Sequence, residues 1–396
     1  VRTIYGERLE GPVKEGDTPK VIKGLLAGTY ILREKEAPAG YTQAVDITFT
    51  VDKGHVYLNE EETAEITMVN EPIRVNISKT DITNSAELPG AKLQILQEVT
   101  AVDEDGSETT SLEVVTTIYG ETLEWTSGET PKEIEGLPAG DYILRETAAP
   151  DGYTIAEDVP FTVGEDLKVT DAVQTVTMVN APTEINVSKV DLTTADQELP
   201  GATLQILKKV IGTDEDGNET ETYELATTVY GEELEWVSDG TVKNIKGLLW
   251  GDYILREVSA PEGYMIAEDI PFTITNELKL EVDTYTMVDE PTEVEISKTD
   301  ITTGEELPGA TLRVLRRTEA ADGTEIEELV TSIYGEELEW VSGEEPKVIK
   351  GLPAGDYILR EVSAPNGYTV TEDVTFTITD ELKPAETVVM EDAPSE

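Results

Sequence analysis

Hydrophobic and polar residues alternate along most of this 396-residue chain, in short runs that are rich in β-branched and aromatic side chains. Gly, Pro, Asp and Asn interrupt these runs at intervals typical of antiparallel strands. Few segments keep the period of an amphipathic helix for long. The pattern therefore predicts an all-β protein.

One stretch, Tyr-Ile-Leu-Arg-Glu followed by Ala-Pro-x-Gly-Tyr, occurs four times, at residues 30–41, 142–153, 253–264 and 357–368. Its glutamates are separated by 112, 111 and 104 positions. This spacing is the size of a small β-domain that buries its own core, and it is too long for a solenoid repeat. The chain is therefore expected to be a tandem array of Ig-like β-sandwich modules.

Module boundaries follow from two further repeated strands, one that closes each module and one that opens the next. They predict modules at residues 1–72, 73–182, 183–291 and 292–396. Val1 aligns with Val115, so the first module is expected to lack its opening strand. The connections are about four residues long and contain proline, which predicts modules arranged end to end as a semi-rigid rod.

Composition limits the partners. The chain has 29 Lys and Arg against 83 Asp and Glu, a formal net charge of −54, so nucleic acid and anionic membrane surfaces are poor partners. It has no cysteine, which excludes disulfides and a thiolate nucleophile. No apolar run reaches membrane length, so no membrane insertion is expected in this segment. Because the chain begins inside a repeat, we expect it to be an internal piece of a longer protein.

A lysine recurs in the opening strand of each complete module. Alternate residues of a strand share a face, so Lys79 points in the same direction as Val75 and Ile77, towards the core. The equivalent lysines are Lys189 and Lys298.

Two further polar side chains point inward by the same argument. Glu146 shares a strand face with Leu144, and Asn180 of the closing strand shares a face with Met178. The glutamate is repeated as Glu257 and Glu361, and the closing residue as Asp289 and Asp392. Each complete module thus directs a lysine, a glutamate and an Asn or Asp inward from three strands.

These groups allow two interpretations. A buried Lys–Glu ion pair is the simpler one, but apolar replacements of such pairs are often neutral or stabilising, so it explains the recurrence poorly. The covalent interpretation is that burial leaves a neutral, nucleophilic lysine and a protonated glutamate. That glutamate polarises the Asn or Asp carbonyl and shuttles protons while an amide forms between the side chains. Ammonia leaves from Asn, or water from Asp.

Four motifs recur in a fixed order: Lys-x-Asp, Leu-Pro-Gly-Ala (88–91, 199–202 and 307–310), the repeated glutamate stretch, and a closing Asn or Asp strand. In this combination the chain resembles the collagen-adhesin B-type (SpaA-like, prealbumin-like) repeat domains of Gram-positive surface adhesins and pilins. The resemblance covers essentially the whole chain.

The resemblance implies intramolecular isopeptide bonds catalysed by the glutamate. The implied sets, as crosslinked pair and catalyst, are Lys79–Asn180 with Glu146, Lys189–Asp289 with Glu257, and Lys298–Asp392 with Glu361. In the first module, Glu34 and Asn70 occupy the positions of the glutamate and the closing residue, but no lysine of this chain matches the third position. That module is therefore expected to be uncrosslinked here. No cofactor and no metal is implied, and the chain is expected not to be a turnover enzyme.

The resemblance further implies a stalk segment on the extracellular, cell-wall-anchored surface of a Gram-positive bacterium. Its partners would be other modules of a longer surface protein, and a host matrix protein or glycan through a head domain that this chain does not contain. The alternative is that these modules bind the host ligand themselves. Trp125, Trp236 and Trp340 are candidates for stacking on sugars, although their position in strands favours packing.

The acidic loops 103–106 and 214–217 are candidate calcium sites, but they lack the Gly and Glu positions of an EF-hand loop. Asp-Gly at a hairpin turn is the better interpretation.

Overall fold

The computed structural model describes residues 1–11, 18–102, 105–164, 167, 173–194, 197–214, 216–277, 282–319, 325–381 and 386–395. Contacts group the chain into two compact units. The first comprises Val1–Pro150 and Ile155–Ala181, and the second comprises Asp151–Thr154 and Pro182–Glu396. Residues 1–72, 73–182, 183–291 and 292–396 are called the first to fourth modules below.

The first module has one four-stranded antiparallel sheet among its described residues. Its strands, which pair in sequence order, are β1 (Gly28–Leu32), β2 (Ile47–Asp52), β3 (His55–Leu58) and β4 (Glu61–Glu62).

The second module has eight strands: β5 (Arg74–Asp81), β6 (Lys92–Val102), β7 (Glu108–Val114), β8 (Glu124–Thr126), β9 (Lys132–Glu135), β10 (Gly140–Ala148), β11 (Val159–Val163) and β12 (Gln174–Asn180). They form two sheets. The small sheet has the order β12-β5-β9, and the large sheet has the order β11-β10-β6-β7 with β8 also paired to β6.

The third module repeats this set as β13 (Glu184–Asp191), β14 (Thr203–Thr213), β15 (Glu219–Leu225), β16 (Glu235–Val237), β17 (Lys243–Lys246), β18 (Gly251–Ser259), β19 (Ile270–Ile274) and β20 (Asp283–Asp289). The fourth has β21 (Glu293–Asp300), β22 (Thr311–Glu319), β23 (Glu325–Leu329), β24 (Glu339–Val341), β25 (Lys347–Lys350), β26 (Gly355–Ser363), β27 (Val374–Ile378) and β28 (Glu386–Asp392). Both repeat the two-sheet topology of the second module.

The opening strand lies in the middle of the small sheet. β5 pairs parallel with the closing strand β12 and antiparallel with β9. The chain therefore enters and leaves each complete module on two neighbouring strands that run in the same direction. A parallel pair needs a long crossover between its strands, and here the whole large sheet supplies it.

A separate apolar core fills the space between the two sheets of each complete module. In the second module, Val75, Ile77 and Met178 from the small sheet pack against Leu93 and Leu144 from the large sheet. The third and fourth modules have equivalent clusters. Each complete module thus buries its own core, and the prediction of all-β tandem modules is confirmed.

Within each unit, a glycine of one module packs against a side chain of the next module. This contact is called the joint below. In the second unit, a Cβ added to Gly263 would lie 2.6 Å from Ile333 Cγ2, and φ at Gly263 is +83°. Because of both facts, any side chain at position 263 would force the neighbouring atoms or the backbone to move. Gly40 of the first module meets Ile118 of the second in the same way. The connecting residue is held on both sides, because Thr292 N donates to Gly263 O (2.9 Å) and Thr292 O accepts from Gly351 N (2.8 Å).

No helix in the described part of the chain is long and apolar enough to cross a membrane.

Candidate functional site

The structure brings each lysine, glutamate and closing residue together between the two sheets of its module. Lys79 lies on β5 and Asn180 on β12, both in the small sheet, while Glu146 lies on β10 in the opposite sheet. In the parallel register Lys79 pairs with Met178 and Asp81 with Asn180. Lys79 and Asn180 are therefore diagonal neighbours on one face, close enough for their side chains to meet.

The three groups of the second-module site are in contact. Lys79, Glu146 and Asn180 are all buried. The lysine Nζ lies 3.3 Å from Glu146 Oε1. Asn180 Nδ2 donates to both oxygens of Glu146, at 2.9 and 3.0 Å. One carboxylate thus contacts the amine and the amide nitrogen at the same time.

This geometry changes one expectation about the glutamate. The amide nitrogen, the group that would leave, faces Glu146 and donates to it. A carboxylate in that position accepts hydrogen bonds and is suited to relaying a proton between two nitrogens. The arrangement therefore favours the proton shuttle over polarisation of the carbonyl.

The sites in the third and fourth modules contain two carboxyl groups each. Lys189 Nζ lies 2.9 Å from Glu257 Oε1 and donates directly to Asp289 Oδ1. Lys298 Nζ lies 3.4 Å from Glu361 Oε1 and donates directly to Asp392 Oδ1. All of these side chains are buried.

Burial shifts the pKa of one group in each of the three complete sites. Loss of water lowers the pKa of Lys79 to about 8, although Glu146 partly opposes this. It raises the pKa of Asp289 to about 7, where Lys189 opposes the shift and Glu257 adds to it. The pKa of Glu361 is raised as well, first by burial. Each shift moves its group towards the neutral form.

The loop after the repeated stretch fixes each glutamate. Glu146 Oε2 accepts a hydrogen bond from Ala156 N (2.6 Å), and Glu257 Oε2 accepts one from Ala267 N (2.7 Å). Glu361 Oε2 accepts the equivalent bond from Thr371 N (2.8 Å). These bonds leave Oε1 of each glutamate directed at the lysine.

A second glutamate, which the sequence reasoning missed, positions each lysine. Glu87 Oε1 accepts from Ser78 Oγ (2.5 Å), and Glu87 Oε2 accepts from Lys79 N (3.1 Å). Leu88 N also donates to Lys79 O (2.6 Å). Glu198 and Glu306 repeat these contacts in the next two modules. The signal was available, since a glutamate precedes every Leu-Pro-Gly-Ala motif.

The same motifs hold the end of the opening strand. Tyr264 OH, from the end of the repeated stretch, donates to Asp191 Oδ2 (3.0 Å), and Tyr368 OH donates to Asp300 Oδ2 (2.6 Å). Asp191 and Asp300 are the aspartates of the Lys-x-Asp motifs. The tyrosine and the aspartate therefore recur because they tie the strand that carries the lysine to the loop that follows the glutamate.

The first module holds two of the three groups. Glu34 Oε2 accepts from Asn70 Nδ2 (2.7 Å) and from Ala44 N (2.8 Å). These contacts match those of Glu146 with Asn180 and Ala156. Among the described residues, no lysine contacts this pair.

The recurrent tryptophans pack as structural residues. Trp125, Trp236 and Trp340 are half-buried against the cores of their modules. Lys132 Nζ lies 5.8 Å from the ring centre of Trp125, and Lys243 Nζ lies 6.0 Å from that of Trp236. A ring face already in contact with a cation is less open for stacking on a sugar.

The acidic loops lie partly outside the described residues, at positions 103, 104 and 215. What is described fits a turn, since Asp214 Oδ1 accepts from Asn218 N (2.8 Å) at the end of the β14–β15 hairpin. Among the described residues, no cluster of three or more His, Asp or Glu side chains is arranged to hold a metal ion.

Comparison with known proteins identifies the family of this chain. The family model of the prealbumin-like fold domain of SpaA type matches residues 73–180, 183–287 and 292–394. The chain therefore belongs to the SpaA-type prealbumin-like domain family, and the resemblance drawn from the motifs is confirmed. No curated protein matches the chain.

Similar solved structures include three proteins of low sequence identity. The Bacillus anthracis TIE protein is 21% identical over 93% of this chain, with a TM-score of 0.36, and the chain covers 59% of it. A streptococcal ancillary pilin is 20% identical over 82% of the chain and 99% of its own, with a TM-score of 0.33. The major pilin SpaD of Corynebacterium diphtheriae is 14% identical over 84% and 100%, with a TM-score of 0.37.

Proposed function

We propose that the chain is a structural segment of a stalk or pilus-like fibre on the outer surface of a Gram-positive cell. In this proposal each complete module closes itself once with an isopeptide bond. The buried contact of lysine, glutamate and Asn or Asp, repeated in three modules, is the observation that carries it. Membership in the SpaA-type family supports the structural role.

In the second module the step is an amide exchange. The uncharged Nζ of Lys79 attacks Cγ of Asn180, and Glu146 accepts the proton that Nζ releases. Glu146 passes that proton to Nδ2, the Cγ–Nδ2 bond breaks, and ammonia leaves. Nζ and Nδ2 both contact Glu146, so a single carboxyl serves both transfers without moving far. Holding the reactants in contact supplies a large effective molarity.

In the third and fourth modules the step is a condensation that releases water. Nζ of Lys189 attacks Cγ of Asp289, and the hydroxyl of the protonated carboxyl leaves as water after Glu257 returns the proton. A carboxylate anion resists nucleophilic attack, so Asp289 must be protonated first. The raised pKa of Asp289, about 7, supplies that form near neutral pH. Lys298, Glu361 and Asp392 would react in the same way.

The bond would add stability where an ion pair adds little. Two buried charges lose their hydration, and their attraction often does no more than offset that cost. A covalent link that closes a loop of about 100 residues stabilises by about 4–5 kcal/mol, by analogy with a disulfide. It also joins the strands at which the chain enters and leaves the module.

Intact mass tests the proposal. Three crosslinks predict a chain lighter than its sequence by one ammonia and two waters. Glu146→Ala should restore the ammonia and leave both water losses in place. Lys132→Ala, which removes a partly exposed lysine of the same module that lies outside the site, is the matched control and should not change the deficit. A chain of unmodified mass would reduce the three sites to ion pairs and exclude the crosslinking proposal.

A further inference from the structure

The aspartate of the third module's Lys-x-Asp motif is bonded by two modules. Asp191 Oδ2 accepts a hydrogen bond from Tyr264 OH of its own module (3.0 Å) and one from Tyr334 OH of the fourth module (3.4 Å). Asp191 Oδ1 accepts from Thr193 N (2.7 Å) and from Thr193 Oγ1 (2.8 Å). Both oxygens of this buried carboxyl are therefore occupied, and one of the donors comes from the neighbouring module.

The surroundings of Asp191 favour its charged form. Burial raises the pKa of Asp191, but the hydrogen bonds from Thr193 and Tyr264 outweigh burial, so the pKa is lowered overall. The pKa of Tyr264 is raised, first by burial and then by its bond to Asp191. A hydrogen bond from a phenol to a carboxylate is stronger than one between neutral groups. The hydroxyl of Tyr334 is therefore directed at a strong acceptor.

Asp191 lies where it can influence the reaction site. It follows Lys189 by two positions, so both side chains lie on the same face of β13. In the parallel register it lies opposite Asp289, and Leu192 N donates to Asp289 O (2.9 Å). Contacts that fix Asp191 therefore fix the end of β13 against the strand that carries Asp289. Small displacements of a reacting pair are costly in rate, so this end of the strand matters for the reaction.

Tyr334 is itself held by the joint between the two modules. The preceding residue, Ile333, packs on Gly263 of the third module, and Ile333 N donates to Gly351 O (3.0 Å). The ring of Tyr334 lies beside Gly351, where an added Cβ would be 3.1 Å from Tyr334 Cε2. The hydroxyl of Tyr334 therefore reaches Asp191 when the fourth module is docked on the third at this joint.

We propose that Tyr334 is a positioning residue for the crosslink of the preceding module, so that docking of the fourth module accelerates the reaction of the third. Docking places Tyr334 OH on Asp191, which steadies the end of β13 and keeps Lys189 in contact with Asp289. The third module thus crosslinks faster once the module that follows it has folded and docked. This inference rests on the function proposed above, because it concerns the rate of that crosslink. The bond that forms and the water that leaves are unchanged.

Tyr334→Phe tests the proposal, because it removes the hydroxyl and keeps the ring at the joint. The full chain, unfolded before it has crosslinked, would be refolded, and the crosslink of each module would be followed by digestion and peptide mass spectrometry. The third module should crosslink roughly two- to fivefold more slowly, at the low end for one hydrogen bond because the contact is long. The fourth module carries the substitution outside its own site and should crosslink at its unaltered rate. An unaltered rate in the third module would overturn the proposal.

Tyr357→Phe is the matched control. Tyr357 OH donates to Pro353 O (2.6 Å) inside the fourth module, so this substitution also removes a tyrosine hydroxyl bond from that module. It leaves Asp191 and its partners in place and should not change the rate of the third module. If it slows the third module as much as Tyr334→Phe does, loss of stability in the fourth module is the cause and the proposal is wrong.

A double-mutant cycle tests whether Tyr334 acts through Asp191. Asp191→Ala should slow the crosslink of the third module, and adding Tyr334→Phe should then slow it no further. Additive effects would show that Tyr334 acts by another route, contrary to the proposal.

Hydrogen exchange gives a second readout that does not require Asp191→Ala to fold. In a Glu257→Ala background, where no crosslink forms in the third module, Tyr334→Phe should make the amide of Leu192 exchange roughly two- to fivefold faster, because its bond to Asp289 O is held less firmly.

The outcomes separate this inference from the proposed function. If no module loses ammonia or water, the proposed function fails and this inference fails with it. If all three complete modules crosslink and Tyr334→Phe changes neither the rate of the third module nor exchange at Leu192, this inference fails alone.

Discussion

In the proposed chemistry a single side chain would decide how each complete module reacts, because the sites differ by one functional group. The second module holds one carboxyl beside its lysine, and the third holds two. Burial moves the pKa of Lys79 down to about 8 and that of Asp289 up to about 7. In the proposed reactions the second site needs a neutral amine, whereas the third needs a protonated acid as well, and the protonated fraction of that acid falls as pH rises.

We expect the second and third modules to crosslink with different pH dependence. The neutral fraction of Lys79 rises as pH increases through about 8, so the ammonia-releasing reaction should accelerate with pH. Amide formation in the third module needs a protonated Asp289 as well as an uncharged amine. Because the protonated fraction of Asp289 falls as pH increases through about 7, the water-releasing reaction should accelerate much less with pH. Chain unfolded before it has crosslinked, then refolded at about pH 6 and about pH 9 and digested, would give each rate by peptide mass spectrometry.

Asp289→Asn provides the control for this prediction. It converts the third site to the amide type, so its product should lose ammonia and its rate should rise with pH like that of the second module. Parallel pH profiles for the unaltered second and third modules would contradict the assignment of the reactive forms.

Strands and turns set the positions of these groups, and part of this was readable from the sequence. Alternation along a strand places Lys79 and Asn180 on a core face because each neighbouring apolar residue marks that face. Glu87 could not be placed in this way, since it lies in the turn after β5 and its side chain returns to the strand. Contacts across a turn have no periodicity that alternation can detect, and the joint between Gly263 and Ile333 was missed for the same reason.

The turn glutamate should matter more than a surface glutamate. Glu198→Gln weakens the charge-assisted bonds to Ser188 Oγ and Lys189 N, and we expect a loss of about 1–3 kcal/mol in unfolding free energy. Denaturant unfolding in a Glu257→Ala background, which prevents the crosslink, would measure it. Crosslinking of the third module should also slow when Glu257 is retained.

Glu232→Gln is the matched control. Glu232 forms an exposed ion pair with Lys243, and such pairs contribute about 0.2–1 kcal/mol. If the two substitutions have equal effects on stability and on crosslinking rate, the turn glutamate does not position the lysine.

Each unit as a whole depends on the joints between its modules. In the second unit the linker around Pro291 is held by paired backbone bonds, because Thr292 bonds to Gly263 on one side and to Gly351 on the other. Thr292 Oγ1 adds a bond to Leu352 O (2.6 Å). These three hydrogen bonds of Thr292 restrict the linker more than proline alone would.

We expect Gly263→Ala to loosen this joint. The new Cβ would meet Ile333 Cγ2 at 2.6 Å on a backbone with φ of +83°, so the amides of Thr292 and Gly351 should exchange with solvent on the order of tenfold faster. Hydrogen exchange followed by mass spectrometry would measure this. The crosslinks of the third and fourth modules should remain, because the substitution lies outside both sites.

Gly367→Ala separates the effect of steric contact at the joint from the effect of backbone strain at the glycine. Gly367 occupies the same motif position with φ of +89°, and an added Cβ there meets no atom within 4 Å. It should leave exchange at residues 292 and 351 unchanged. Faster exchange in both variants would show that steric contact at the joint is not the cause.

The parallel pairing of opening and closing strands has a consequence for how far the protein can lengthen. If amides join residues 79 to 180, 189 to 289 and 298 to 392, nearly all of each complete module would lie in a closed ring, and a pull on the two ends of that module would bypass the ring. The backbone left in series between residues 79 and 392 would then be only the stretches 180–189 and 289–298. Between those two residues, even a fully denatured chain, at about 3.5 Å per residue, would gain contour length only from these short stretches.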